Sequence, residues 1–313
     1  MNNLRLTECS ELARINSLEP VTSLPAIIGF AYRPPFALEE GIKHGRCILS
    51  EAILVTSNVV NRVCTLGLNN PPANGYSYQM MRQLDDAILD ARFNEAVDVI
   101  VITGTGDRFF CAGADIGVLS KMTPEFKYQF CLHANETLNR LASTSKLVIA
   151  AINGHCVGGG LEVALAADIR IGASGRYKLG LPESKLGVLA GTGGTQRAAR
   201  ILGTAKAIEL MATGDNLTPE TARELGLINQ ILEGEDFKAE VQKYAEKFTN
   251  PTASASAIGA MKLSVHAGVD GSLLSGLAVE RELQQQLFKG PDSKEGMAAF
   301  LERRPAQFGG KES

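Results

Sequence analysis

The stretch Leu147-Val148-Ile149-Ala150-Ala151-Ile152-Asn153-Gly154-His155-Cys156-Val157-Gly158-Gly159-Gly160-Leu161-Glu162-Val163-Ala164-Leu165-Ala166-Ala167-Asp168 decides the architecture of this chain. Its opening, Leu147 to Ile152, is an unbroken apolar run of strand length, which fits a strand covered on both faces. Leu161 to Ala166 then reads as the start of a helix. Between them stand Gly158, Gly159 and Gly160, with no side chains to shield their backbone amides. At a helix start such amides are unsatisfied donors at the positive end of the dipole. That is the physical recipe for an anion or oxyanion site, although close helix–sheet packing without a ligand would use the same glycines. Glu162, among Leu161, Val163, Ala164 and Leu165, is either on an exposed stripe or buried for a reason.

Upstream, the β-branched run Val97 to Ile102 predicts another covered strand, followed by a second glycine-containing corner, Phe110-Cys111-Ala112-Gly113-Ala114-Asp115. A helix is expected from Pro124 to Leu141. Met80, Met81, Leu84, Ala87, Ile88 and Ala91 recur at helical spacing, with Arg82, Asp85 and Asp86 on the other face. Ile53-Leu54-Val55 and Val63-Cys64-Thr65-Leu66 flank Ser57-Asn58 as a strand–turn–strand, ended by Asn69-Asn70-Pro71-Pro72. Downstream of Asp168 the strands shorten. Helices are expected over 203–213, 219–225, 237–248 and 253–267, and over 273–304 with a break at Gly290-Pro291. Strands alternating with helices imply a layered α/β architecture.

The 313 residues, 45% hydrophobic and 21% charged, suit a globular protein of one large domain or two. Lys and Arg number 31 against 34 Asp and Glu, a net charge of -3, which argues against a general binder of nucleic-acid backbones. No run approaches the ~18 apolar residues of a membrane span. Residues 1–52, interrupted by Pro20, Pro25, Pro34 and Pro35, read as an N-terminal extension without an assigned task. They resemble neither a secretory signal nor an acid-poor transit peptide. The cytoplasm is therefore the expected location, or the mitochondrial matrix in a eukaryote. Residues 53–250 form the expected core and 251–313 a helical C-terminal region.

Cysteines at 9, 47, 64, 111, 131 and 156 make no short-spaced pair, so zinc and redox motifs are not expected. Histidines at 44, 133, 155 and 266 make no metal pair at helical spacing. No serine sits in a nucleophile elbow. The glycine corners lack the dinucleotide pattern. Gly191-Thr192-Gly193-Gly194-Thr195 is like a phosphate loop but lacks its Gly-Lys-Ser/Thr ending. Glu183 follows Pro182 after the expected strand Lys178-Leu179-Gly180. Taken alone it suits a surface or capping role. Together with Glu162 beside an oxyanion site, it could hold a water between two carboxylates, one acting as base and the other as acid.

The corner Phe110 to Ile116, the run Asn153 to Asp168, the stretch Gly180 to Arg197 and the tail Glu295-Gly296-Met297-Ala298-Ala299-Phe300-Leu301-Glu302-Arg303-Arg304 resemble the crotonase, or enoyl-CoA hydratase/isomerase, superfamily. The resemblance spans roughly residues 53–310. It implies a crotonase-like (ClpP/crotonase) α/β spiral of β-β-α turns with a helical C-terminal region, assembled as homotrimers or hexamers. It also implies that an acyl-CoA thioester oxygen lies between the amides of Ala114 and Gly159. Glu162 and Glu183 match the paired glutamates of hydratases, which add water syn across trans-2-enoyl-CoA to give 3-hydroxyacyl-CoA. Ala112, Gly113, Asp115, Ile116, Gly158, Phe300 and Arg303 are the implied substrate contacts. Acyl-CoA is the expected partner, with no metal, further cofactor, nucleic acid or membrane.

Some positions depart from the pattern. Gly117 stands where many hydratases carry a lysine, Ala190 where proline is usual, and Asn74-Gly75 where the family has Asn-Ala. A Δ3,Δ2-enoyl-CoA isomerase, which often needs only one carboxylate, or another crotonase-family acyl-CoA enzyme is the enzymatic alternative. An RNA-binding or non-catalytic scaffold is the other. For RNA binding, the helix Pro124–Leu141 offers only Lys127 and Arg140 against Glu125 and Glu136.

Overall fold

A computed structural model describes residues 52–310; the expected N-terminal extension lies outside the described residues up to residue 51. The first described elements are an antiparallel pair, β1 (Val55–Val60) and β2 (Val63–Leu68). The turn between them falls at Asn61 and Arg62, with φ of 48° and 66°, and not at Ser57-Asn58. Ser57 and Asn58 lie within β1, opposite Leu66 and Thr65. A two-residue turn with both φ values positive matches the strand twist. Arg62 is held there by Asp98, to which its Nε and Nη2 donate at 2.6 and 2.8 Å. With Asp98 so engaged, the next strand starts two residues later than the β-branched run suggests. β2 ends before the prolines as expected, and α1 (Tyr78–Phe93) starts at Ser77, whose Oγ caps Met80 N.

From there the chain repeats one pattern, a long strand, a short strand and then helix. β3 (Val99–Gly104) leads to β4 (Phe109–Cys111), the short α2 (Ile116–Leu119) and α3 (Pro124–Ala142). β5 (Leu147–Ile152) leads to β6 (His155–Val157) and α4 (Gly159–Leu165). β7 (Ile169–Ala173) leads to β8 (Leu179–Gly180), a 3-10 turn over Pro182–Leu186, and helices α5 (Gly194–Leu202), α6 (Thr204–Thr213) and α7 (Pro219–Glu224). β9 (Gln230–Leu232) and α8 (Phe237–Glu246) follow. The long strands build a six-stranded sheet in the order β1-β2-β3-β5-β7-β9, and the short ones a second sheet, β4-β6-β8. Every pairing except β1–β2 is parallel. This is the spiral of β-β-α turns that the family resemblance implies.

Every residue of β3 and β5 is buried, because the large sheet is covered on both faces. Alternate residues Ile100, Ile102, Val148, Ala150 and Ile152 join the main core with α1, α3 and α4. Val99, Val101, Ile149 and Ala151 face the other way, against Val241 and Ala245 of α8. The C-terminal helices are α9 (Ala255–Asp270), α10 (Leu273–Lys289) and α11 (Pro291–Glu302), with the break at Gly290-Pro291. Buried Lys262 ties α9 to the core through Asp168 at 2.8 Å and the Lys146 carbonyl at 2.9 Å. Among the described residues no helix is long and apolar enough to cross a membrane.

Candidate active site

The short strands bring the two glycine corners together. β4 and β6 are neighbours, with Cys111 opposite Cys156. Beyond β4 the corner is pinned by Ala112 N donating to the Ala73 carbonyl and by Tyr76 N donating to the Gly113 carbonyl, each at 3.0 Å. Asp115 then caps α2, accepting from Val118 N at 3.1 Å. Beyond β6, Gly158 takes φ of 56° and precedes α4 without a side-chain cap. A Cβ placed on Gly113 would stand 2.9 Å from Gly159 N, so the two corners touch. Among the described residues the Ala114 and Gly159 N–H groups have no acceptor. Close packing also demands these glycines, since a side chain on Gly159 would strike the phenol of Tyr76. The packing and exposed-amide readings of the triplet are therefore both satisfied.

Glu162 is buried, at 2% exposure, one turn into α4. Its Oε1 accepts from Thr192 N at 2.7 Å and Gly194 N at 2.8 Å, and its Oε2 accepts from Thr192 Oγ1. Both oxygens act as acceptors, the pattern of an ionised carboxylate. The loop that looked like a phosphate cradle thus holds an anion from its own chain. It is braced from behind. Arg197 donates to the Thr192 carbonyl at 3.3 Å and to Asn139 at 2.7 Å, while Asn135 donates to the Gly191 carbonyl at 3.2 Å.

Glu183 sits in the 3-10 turn after β8, with its Oε1 3.1 Å from where a Cβ on Gly158 would lie. Its Oε2 is buried without a hydrogen-bond partner among the described residues. Burial pushes its pKa up to about 7, with nearby Glu162 adding to the rise and its own backbone N–H and Lys127 opposing it. The site therefore pairs a carboxylate fixed by donors with one that retains a proton near neutrality. Such a pair, beside unused N–H donors, can manage a proton and a developing oxyanion together.

The sequence profile described as Enoyl-CoA hydratase/isomerase matches residues 58–311. The chain belongs to the enoyl-CoA hydratase/isomerase family. A crotonyl-CoA hydratase of Syntrophomonas wolfei is 33% identical over 248 residues, covering 79% of this chain and 94% of its own. A short-chain-enoyl-CoA hydratase of Clostridium acetobutylicum is 32% identical over 244 residues, 78% of this chain and 92% of its own. The crystal structure of an enoyl-CoA hydratase from Geobacillus kaustophilus matches with a TM-score of 0.79 and 39% identity, over 82% of this chain and 97% of that one.

Within this enoyl-CoA hydratase/isomerase chain, Ala112, Gly113, Ala114, Gly158, Gly159, Glu162 and Glu183 gather at one place, with Asp115 and Ile116 at its margin. Ile116 is 59% exposed at the start of α2. Phe300 and Arg303 do not join them. They lie on and just after α11, which packs on α10 and is tied to the start of α9 by Ser254 donating to Asp292. Phe300 is 84% exposed there. Sequence reasoning missed the clamp residues Thr192 and Gly194, the brace residue Arg197, and Tyr76. The amide-rich run Gly191 to Gly194 was the available signal for the clamp. For Tyr76 there was none.

Proposed function

We propose that this family member is an enoyl-CoA hydratase, a hydro-lyase that adds water syn to trans-2-enoyl-CoA and yields the 3-hydroxyacyl-CoA. The observation that carries the reading is the unequal glutamate pair, Glu162 tied down by donors and Glu183 at a pKa of about 7. The thioester oxygen takes the Ala114 and Gly159 N–H groups, which stabilise the enolate more than the ground state. Water lies between the carboxylates. Glu162 orients it and removes its proton as the oxygen attacks the β-carbon, and Glu183 gives its own proton to the α-carbon. A proton passing from Glu162 to Glu183 then restores the pair.

The relatives named as crotonyl-CoA and short-chain-enoyl-CoA hydratases support this choice of substrate class. The test is loss of the enoyl-thioester absorbance of crotonyl-CoA. Turnover of a 3-enoyl-CoA without hydration would assign an isomerase instead. Assembly into homotrimers or hexamers belongs to the same proposal. It is supported by the apolar side chains that α9 and α10 leave exposed, Met261, Val265, Val269, Leu273 and Leu274, and is tested by native mass.

A further inference from the structure

Tyr76 touches both glycine corners and the Thr192 clamp that holds Glu162. Its backbone N–H holds the Gly113 carbonyl at 3.0 Å, next to the Ala114 amide. Its ring closes on Gly159, where a Cβ would stand 2.6 Å from Cζ. Its hydroxyl lies 3.3 Å from Thr192 Oγ1 in a buried contact. Thr192 Oγ1 has one proton, and that proton goes to Glu162 Oε2 because a carboxylate oxygen can only accept. Between the two hydroxyls Tyr76 is therefore the donor. The order of donation runs from Tyr76 to Thr192 to Glu162.

We infer that Tyr76 is a positioning residue coupling the two halves of the site: its ring seats the Gly159 corner, and its hydroxyl fixes the Thr192 rotor that holds the Glu162 carboxylate. The inference rests on Glu162 and Gly159 acting as proposed above. Burial, followed by the nearby charge of Glu162, keeps the phenol pKa far above its usual range, so the donated proton stays in place at working pH. A donor that fixes another hydroxyl strengthens the bond that hydroxyl gives. A leucine at residue 76 could fill the space but could not take part in this chain.

The test is steady-state hydration of crotonyl-CoA by the full chain. Tyr76→Phe keeps the ring and deletes the hydroxyl. It is expected to lower kcat ~5-fold, the worth of one ordinary hydrogen bond, with KM within twofold of the parent. Thr192→Ser, which keeps the hydroxyl, should retain more of kcat than Thr192→Val, which removes it. Adding Tyr76→Phe to Thr192→Val should cost nothing more. The loss of activity at high pH, set by Glu183 with Glu162 and Lys127 facing it, should stay at about 7 in Tyr76→Phe.

A general distortion would instead move the high-pH limb or KM, because Gly158 abuts Glu183. An unchanged kcat in Tyr76→Phe, or the same ~5-fold loss on the Thr192→Val background, would overturn the inference while leaving the hydratase reading intact. A parental chain inactive on crotonyl-CoA would overturn that reading instead. Urea unfolding of the two single variants and the double variant then decides the coupling without activity. Losses smaller together than their sum support it, and additive losses refute it.

Discussion

Replacing Glu183 with glutamine separates what this residue does for catalysis from what it costs the fold. The carboxyl pKa rises from 4.5 to about 7 mainly through burial. A raised carboxyl pKa means that the folded state binds the proton more tightly than the unfolded chain does. The proton-linked stability is fully present below the unfolded value and is lost as pH rises through the folded one. The gap corresponds to ~3 kcal/mol, reduced to ~1–2 kcal/mol because the side chain is partly open to water that screens it. Glutamine carries no charge to bury. Glu183→Gln should therefore unfold at higher urea concentration than the parent at pH 8.5 by that margin, with little difference at pH 5.

Activity should move the other way. Without the proton donor, crotonyl-CoA hydration should fall ~10²–10⁴-fold. In the parent, the protonated fraction falls from about half at pH 7 to about one in a hundred at pH 9, so kcat should drop ~50-fold across that interval. Stopped-flow hydration and urea titrations at both pH values supply the two readings. A near-parental rate in the variant would remove Glu183 as the acid. An equal stability difference at pH 5 and pH 8.5 would mean that Glu183 is not the group whose proton the fold retains.

Gly159→Ala places a methyl against the Tyr76 phenol, and activity should fall at least ~10²-fold as the corner shifts away from its partner amide; crotonyl-CoA kinetics on folded variant read this. Ala114→Pro deletes the other N–H, and hydration should collapse while circular dichroism stays parental, because no side chain can replace a backbone donor. Lys262→Met leaves Asp168 without its 2.8 Å partner. It should destabilise the chain by ~3 kcal/mol in urea yet leave kcat of the folded fraction unchanged, since the pair anchors α9 and lies outside the glutamate site.

Residues whose meaning is local could be read from the sequence. The apolar run Leu147–Ile152 is the strand expected, to the residue, because a fully covered strand admits nothing polar. Glycines 158–160 announced unshielded amides for the same local reason. The hairpin turn was missed because Ser57-Asn58 has turn chemistry, whereas Asn61-Arg62 depends on Asp98, 36 positions away from Arg62. Glu162 could not be decided from its apolar neighbours. Its burial is bearable only because donors arrive from residues 192 and 194, 30 and 32 positions later. Tyr76 and Thr192 meet across 116 positions, and no periodicity records such a contact. Phe300 and Arg303 carried the family's tail pattern, but where a helix docks is not written in its own residues.

The small sheet β4-β6-β8 acts as a ruler. Adjacent strands in any sheet lie ~4.8 Å apart, and two N–H donors that share one oxygen at ~2.9 Å can be at most ~5.8 Å apart. One strand spacing therefore satisfies that limit with room for the two bonds to converge at an angle. Ala114 lies three residues past the end of β4 and Gly159 two past the end of β6, so neighbouring rungs deliver the two amides. Glu183, three residues past β8, arrives from the next rung. Amide, amide and carboxyl thus follow three adjacent hydrogen-bonded strands in order. The side chains have only to keep the register, and a one-residue deletion within β6 would displace the middle mark by ~3.3 Å, more than a hydrogen bond can stretch.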